Sequence, residues 1–325
     1  MSAITDRQAV GFGFLAMIAE DMYEGANLGS LNPPVDLRIA ATGWTVVAYF
    51  TAQDVLIPPP EAASQRISVD PSKRVFFGFL ARSNADPNTY AAVVRGTEGI
   101  VEWVIDAEFL LVPHPRYPGR LVEQGFWDIY QTMSLADPAN GRTTHQNAAE
   151  GVADTVGAGT VMVAGHSLGS ALATYFALDL AEKLGSKVSA CLFASPRTGD
   201  QAWAELFAAT VSDYRLFNYI LDIVPHVPTI GYVALRNATV IQPATAQAGI
   251  RLDIFCDHHA ICYCAMIDYA IKPPVTNEDR DSLACVAPPP MPMAAILLAA
   301  LINRFIPGWG WSRATLGRLH RLGAI

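Results

Sequence analysis

The stretch GTVMVAGHSLGSALATYFALDLAEKLG, residues 159–185, constrains the fold of this chain more than any other segment. Its first seven residues are an apolar run that predicts a buried strand. The pattern that follows predicts a helix ending at Gly185, a typical helix C-cap. Between them lies G-H-S-L-G, in which Gly165 and Gly169 leave room for a sharp turn with strained backbone at Ser167. Ser167 is therefore a candidate nucleophile at the end of a sheet, and the alternative is a tight turn with an incidental serine.

Other apolar runs alternate with helical patterns along the chain. Apolar positions at helical spacing predict a helix over residues 9–23. Short apolar runs bounded by turn residues predict further strands, at 45–51, 75–81, 90–96, 187–195 and 214–220. This alternation predicts an α/β fold with a mostly parallel central sheet flanked by helices.

The composition excludes several classes of protein. Of the 325 residues, 51% are hydrophobic and 16% are charged, so the chain can bury a sizeable core and is not disordered. The formal net charge of −8 argues against a nucleic-acid partner. The N-terminus shows neither a basic segment nor a signal cleavage site, and no apolar run is long enough to span a bilayer. We therefore expect a cytoplasmic or peripheral membrane protein rather than a classically secreted one.

A nucleophilic serine needs a base beside it, and α/β-hydrolases supply the partners in the chain order serine, acid, histidine. The best acid after Ser167 is Asp222 in NYILDIVPHVP, because it follows a predicted strand and so lies at the sheet edge where catalytic sites gather. The alternative role for Asp222 is a loop cap or a surface ion pair. Asp213, Asp253 and Asp257 compete from less suitable settings.

Four histidines follow Asp222 in the sequence. His226 is too close along the chain to reach around easily, and His320 lies in the C-terminal tail. The remaining two, His258 and His259, are adjacent in the stretch CDHHAICYC. One of them is expected to be the base.

The cysteines of CDHHAICYC raise the question of a metal site. On a helix, a C-x-C pair points its two sulfurs about 200° apart, and no second C-x-x-C or H-x₃-H pattern supports zinc. The apolar run AICYCAMIDYAI predicts a buried helix, so Cys262 and Cys264 are interpreted as core thiols. A disulfide between Cys256 and Cys285 stays open.

Five blocks of the chain, taken in order, resemble those of the class 3 lipases, the fungal-lipase-like branch of the α/β-hydrolases. They lie between about residues 75 and 270 and read YAAVVRGTEGIVEWVID, VEQGFWDIY, VMVAGHSLGSALA, CLFASPRTGD and YRLFNYILDIVPHVP. The resemblance implies an α/β-hydrolase fold in which Ser167 is the nucleophile and Asp222 the triad acid. It also implies that the backbone N–H groups of Thr97 and Leu168 hold the oxyanion. The alternative for Thr97 is a hydroxyl that closes its own turn.

The resemblance also bears on the choice between the two histidines. Many members of the family carry His, four intervening residues and then Tyr on the following helix, and His258 and Tyr263 have this spacing. His259 is one residue short, although some members use shorter gaps. We choose His258 as the base and expect His259 to be exposed to solvent or to cap the helix.

Two further segments suggest contact with lipid. Residues 98–107 occupy the place of the family's lid and are amphipathic, although an ordinary helix packed on the core has the same pattern. Residues 286–325 are predicted to be an apolar and basic appendage to a catalytic domain at 1–285. Within it, 291–311 would contact a lipid interface, or pack on the catalytic domain or on a second subunit.

These observations together predict a serine hydrolase that cleaves carboxylic esters, most simply those of acylglycerols, through an acyl-enzyme. The expected substrate is a lipid or a small ester, and no metal or cofactor is expected. The alternatives are a transacylase on the same machinery and a non-catalytic module that binds lipid or a partner. The sequence does not fix acyl chain length or oligomeric state.

Overall fold

The computed structural model of the chain describes residues 4–25, 30–54, 74–97, 109–242, 258–271 and 273. Its helices are α1 (Asp6–Gly25), α2 (Leu37–Ala41), α3 (Gln124–Gln131), α4 (Ala148–Val156), α5 (Leu168–Leu184), α6 (Gln201–Thr210) and α7 (Ala260–Ile267). Its strands are β1 (Trp44–Gln53), β2 (Arg74–Ser83), β3 (Thr89–Val94), β4 (Leu111–Pro113), β5 (Leu121–Glu123), β6 (Ser134–Ala136), β7 (Thr143–His145), β8 (Thr160–His166), β9 (Val188–Phe193), β10 (Tyr214–Tyr219) and β11 (Ala238–Ile241).

Within these ranges, nine strands form one sheet in the order β11-β10-β9-β8-β3-β2-β1-β6-β7. The block from β11 to β3 is parallel, as the alternation of strands and helices predicts. Strands β2, β1, β6 and β7 extend the sheet in antiparallel fashion. The predicted α/β fold is confirmed, and the parallel block is the part in which strand ends meet at one edge to form a site.

The buried runs found in the sequence correspond to β1, β2, β3, β8, β9 and β10, and each bound differs by at most two residues. Strands β6 and β7 were not predicted, because they are three residues each and carry too short a pattern. The lid candidate at 98–107 and the tail at 286–325 lie outside the described residues.

Helices cover both faces of the sheet. The strand residues alternate between two cores, as Leu192 and Phe193 on β9 show. The core that contains Leu192 is closed by α3, α4, α5 and α6, whereas the core that contains Phe193 is closed by α1 and α7. Each fully buried Leu or Phe side chain contributes roughly 1.5–3 kcal/mol through the hydrophobic effect. None of the helices in the described ranges is long and apolar enough to cross a bilayer.

Helix α5 is buried on almost every side because it packs on β8 and β9 and beneath α3, α4 and α6. It begins at Leu168, directly after the serine, and its last residue is Leu184. The C-cap is Gly185, whose φ of 64° glycine reaches easily. The predicted C-cap is confirmed. The burial fixes the helix axis and with it the turn that precedes the helix.

Helices α1 and α7 pack closely on the opposite face. Cys264 on α7 donates from Sγ to the carbonyl of Val10 on α1 at 3.6 Å. A Cβ at Gly13 would overlap the same sulfur. Cys262 and Cys264 are buried, as the interpretation as core thiols requires, while Cys256 and Cys285 lie outside the described residues. The contact fixes α7, and α7 begins two residues after His258.

Replacing Gly13 with alanine is expected to lower the free energy of unfolding by about 1–3 kcal/mol, because the new methyl overlaps Cys264 and forces the helices apart. Gly11→Ala is the matched control on the same helix, since a Cβ there meets nothing within 4 Å. That change should be neutral or stabilise the fold by about 0.5–1 kcal/mol. Urea denaturation of the two variants measures both values, and equal effects would contradict the close approach of α1 and α7.

Candidate active site

Ser167 lies in the turn between β8 and α5 with φ 60° and ψ −128°, a conformation that L-residues rarely adopt. The two glycines of G-H-S-L-G make the turn possible. A Cβ at Gly165 would overlap the carbonyl of Gly169, and a Cβ at Gly169 would overlap the carbonyls of Val94 and Arg95. Strained backbone persists where the surroundings hold it, and it concentrates at functional sites.

The structure brings together the three residues that the sequence nominates for a triad. His258 Nε2 lies 2.7 Å from Ser167 Oγ, and His258 Nδ1 lies 2.7 Å from Asp222 Oδ2. All three residues are buried, with Asp222 1% and His258 5% exposed. They come from the end of β8, the loop after β10 and the residue pair before α7. Of the competing aspartates, Asp213 lies at the opposite end of β10.

The structure distinguishes the two adjacent histidines. His258 is buried against Ser167 and Asp222, whereas His259 is exposed at the N-cap position of α7. Adjacent residues at the start of a helix point in different directions, so the two imidazoles face different surroundings. Of the two, only His258 bonds to both the candidate nucleophile and the candidate acid in the described structure.

A tyrosine on α7 supports the carboxylate of Asp222. The Tyr263 hydroxyl donates to Asp222 Oδ2 at 2.6 Å and accepts from the backbone N–H of Tyr219 at 3.0 Å. The other oxygen, Oδ1, accepts from the backbone N–H of Val224 at 2.9 Å. Together with His258, these donors fix the direction of the carboxylate. The spacing between His258 and Tyr263 was visible in the sequence, but the bond to Asp222 was not.

The two residues predicted to hold an oxyanion lie next to the serine. Val94 on β3 pairs in parallel with Gly165 on β8, so Thr97 and Ser167 leave the sheet at the same edge. Leu168 is the first residue of α5 and is fully buried. Its position places a helix N-terminus, which carries a partial positive charge, beside the serine hydroxyl.

Residues 91–232 match a family model described as class 3 lipase. We call residues 91–232 the class 3 lipase segment. It contains the serine, the aspartate and both predicted oxyanion residues, whereas His258 lies beyond its end and is placed by geometry.

Several known proteins are similar in sequence to part of this chain. A lipase of Rhizomucor miehei is 33% identical over 163 residues, which are 47% of this chain and 41% of that protein. A secreted mono- and diacylglycerol lipase of Penicillium cyclopium is 31% identical over 180 residues, 54% of this chain and 56% of that protein. Phospholipase A1-IIgamma of Arabidopsis thaliana is 32% identical over 42% of this chain and 38% of its own length. The chain thus spans about half the length of the relatives it matches.

Solved structures show the same fold. A triacylglycerol lipase described as having a serine-protease triad superposes with a TM-score of 0.54 at 21% identity, over 75% of this chain and 82% of the other. The Rhizomucor miehei lipase with its propeptide superposes with a TM-score of 0.53 at 23% identity, over 73% and 68% of the two chains. The fold is therefore that of the α/β-hydrolases, as predicted.

Arg95, between β3 and Thr97 in the class 3 lipase segment, is a residue to which sequence reasoning gave no role. It is fully buried, and its guanidinium donates to the carbonyls of Phe76 at 2.7 Å and Gly96 at 2.8 Å. The same group stacks 3.5 Å from the ring centroid of Tyr23 on α1. Arg95 thereby anchors the backbone that leads to Thr97. The signal in the sequence was a lone arginine directly after an apolar strand.

We expect Tyr263→Phe to lower the free energy of unfolding by about 1–3 kcal/mol, since it leaves the buried N–H of Tyr219 without its acceptor and Asp222 with one donor fewer. Tyr232→Phe is the matched control, because that buried hydroxyl has no hydrogen-bond partner among the described residues. It should be neutral. Chemical denaturation measures the free energy of unfolding of both variants. Equal decreases in the two would contradict the hydrogen-bond network around Asp222.

Proposed function

We propose that this chain hydrolyses carboxylic esters through an acyl-enzyme on Ser167. The observation that carries the proposal is the continuous chain of short hydrogen bonds from Ser167 through His258 to Asp222, at 2.7 Å each. A serine hydroxyl, a base within reach of it and an acid that orients the base are the groups that acyl transfer requires.

The hydrogen bonds indicate which ring nitrogen of neutral His258 carries the proton in the resting site. Nδ1 faces a carboxylate, which accepts, so Nδ1 carries the ring proton in the neutral form. Nε2 is then free to accept from the Ser167 hydroxyl. Asp222 holds this tautomer and stabilises the imidazolium that forms during the reaction.

The reaction proceeds in two half-reactions. Ser167 Oγ attacks the ester carbonyl while its proton passes to His258 Nε2, and the imidazolium returns that proton to the departing alcohol. A water molecule then repeats the sequence on the acyl-enzyme and releases the acid. In both steps the charge on the carbonyl oxygen is held by the N–H groups of Thr97 and Leu168, and one such donor is worth roughly 2.7–4 kcal/mol in the transition state.

We further propose that the substrate is a fatty acyl ester of glycerol. The relatives include proteins named lipase, mono- and diacylglycerol lipase and phospholipase A1. The acylated glycerol backbone is what these substrates share. The burial of Ser167, which is 0% exposed, fits an apolar ester that leaves water as it binds.

Ser167→Ala is expected to abolish hydrolysis of a p-nitrophenyl ester, with a loss of at least about 10³-fold in kcat, because removing a triad nucleophile leaves only binding and oxyanion stabilisation. Ser170→Ala is the matched control: it removes a buried hydroxyl from the first turn of α5 that bonds to no described residue. Its activity should stay within a few-fold of wild type. Wild-type turnover in the Ser167 variant would contradict the proposal.

The same pair of variants, assayed on a panel of substrates, tests the proposal that the substrate is a fatty acyl ester of glycerol. We expect Ser167-dependent release of fatty acid from triacylglycerol, diacylglycerol or phosphatidylcholine dispersions. Activity confined to water-soluble esters would contradict acylglycerols as the substrate class. Acyl transfer to an added alcohol in preference to water would identify a transacylase, and failure of an organophosphonate to label Ser167 would identify a non-catalytic module.

A further inference from the structure

A second histidine–carboxylate pair lies directly behind the candidate triad. His166, the residue before the serine, is 3% exposed, and its Nδ1 lies 3.7 Å from Oε2 of Glu20 on α1. Glu20 is largely enclosed, with 17% of its side chain exposed. In the described residues, the hydrogen-bond partner of Ser167 Oγ is His258 rather than either member of this pair. No sequence pattern links Glu20 to His166.

The hydrogen bond on the far side of His166 defines where its protons lie. Its Nε2 is 2.6 Å from the backbone carbonyl of His258. A carbonyl oxygen only accepts, so Nε2 carries a hydrogen and donates it. His166 is therefore attached to the backbone of the candidate base itself.

The remaining ring nitrogen of His166, Nδ1, faces the carboxylate of Glu20. Nδ1 is buried and makes no normal hydrogen bond with the described residues. Glu20 Oε2, at 3.7 Å, is the carboxylate oxygen that faces this nitrogen. A buried polar atom without a partner is costly, so the facing carboxylate favours this orientation of the ring.

The electrostatics of Glu20 agree with this arrangement. Burial by itself raises the pKa of Glu20, but the neighbouring His166, together with His258 and Arg95, outweighs it and leaves the pKa below its ordinary value. This direction favours the carboxylate form of Glu20.

The pair is also packed against the oxyanion segment. A Cβ at Gly96, the residue before Thr97, would lie 3.1 Å from Glu20 Oε2 and 3.2 Å from His166 Nδ1. On its other side, the ring of His166 lies 4.8 Å from that of His258, centroid to centroid. The pair therefore fills the space between the base and the backbone of Thr97.

The bond from His166 reaches the chain just before α7 begins. The carbonyl of the next residue, His259, accepts from the N–H groups of Cys262 and Tyr263 on α7. His166 thus contacts the backbone at the point where the candidate base leads into α7.

We propose that Glu20 is a positioning residue, which holds His166 in the orientation that donates to the carbonyl of His258 and so keeps the base in register with Ser167. The inference rests on the proposed function, because it concerns the base of that reaction. It assigns a role in the site to the N-terminal helix, which lies outside the class 3 lipase segment at 91–232.

The test is a comparison of Glu20→Gln with Glu24→Gln. The two changes are chemically identical and lie on one helix, but Glu24 is exposed. Glu20→Gln should lower kcat on a p-nitrophenyl ester by about tenfold, since small displacements of a catalytic group are costly. Its KM should stay within twofold because Glu20 does not reach the substrate, and Glu24→Gln should match wild type in both constants.

A double-mutant cycle shows whether Glu20 acts through His166. His166→Gln removes the ring that faces Glu20, so it should lower kcat to a similar degree. In that background, adding Glu20→Gln should change kcat by less than twofold. A role of Glu20 in general stability would instead give multiplying losses and a lowered Tm in each variant.

The outcomes distinguish failure of the role of Glu20 from failure of the proposed ester hydrolysis. If wild type hydrolyses the ester in a Ser167-dependent manner and Glu20→Gln equals Glu24→Gln, the inference is wrong and the proposed function stands. Multiplying losses in the double mutant also overturn it. If wild type neither turns over the ester nor reacts with an organophosphonate, the proposed function falls and the inference falls with it.

Discussion

The positive φ angle of Ser167 is the constraint on which the rest of the site depends. A serine in this conformation is unfavourable by itself, and it persists because β8 enters the turn from one side and the buried helix α5 leaves it on the other. The two glycines allow the turn to touch the end of β3, so the serine, the helix N-terminus and Thr97 come to one place. The same packing thus positions both the candidate nucleophile and the proposed oxyanion residues.

The candidate base, His258, approaches Ser167 from the face of the sheet opposite α5. His258 precedes α7, which packs on α1 and closes the second core. Tyr263 on α7 fixes the acid, and Glu20 on α1 faces the histidine that bonds to the backbone of the base. The two helices therefore stabilise the fold and also reach the proposed acid and base, because α7 contacts Asp222 directly and α1 reaches His258 through His166.

The sequence predicted those parts of the site whose position follows from a strand end. Ser167 and Asp222 each come directly after an apolar run, and parallel strands end at one edge, so their meeting follows from local pattern. His258 required the spacing to Tyr263 as well, because no strand leads to it. Its place opposite Ser167 depends on the packing of α7, which a local pattern does not encode.

Other features could not be predicted because they arise from contacts between distant segments. Glu20 looks like an ordinary acidic residue on an amphipathic helix until α1 is packed against β8. Arg95 looks like a turn residue until Tyr23 and Phe77 enclose it. Strands β6 and β7, at the antiparallel end of the sheet, have three residues each, and a period of two is not detectable in so short a run.

The central claim is that His258, rather than its neighbour, activates Ser167. The most direct measurement is the rate at which an organophosphonate labels Ser167, followed by mass spectrometry of the serine peptide, in His258→Ala and His259→Ala. If His258 activates Ser167, the His258→Ala variant labels at least about 10³-fold more slowly than wild type, whereas the variant at the exposed His259 labels within a few-fold of it. Unchanged labelling in His258→Ala, or a loss confined to His259→Ala, would show that His258 is not the base.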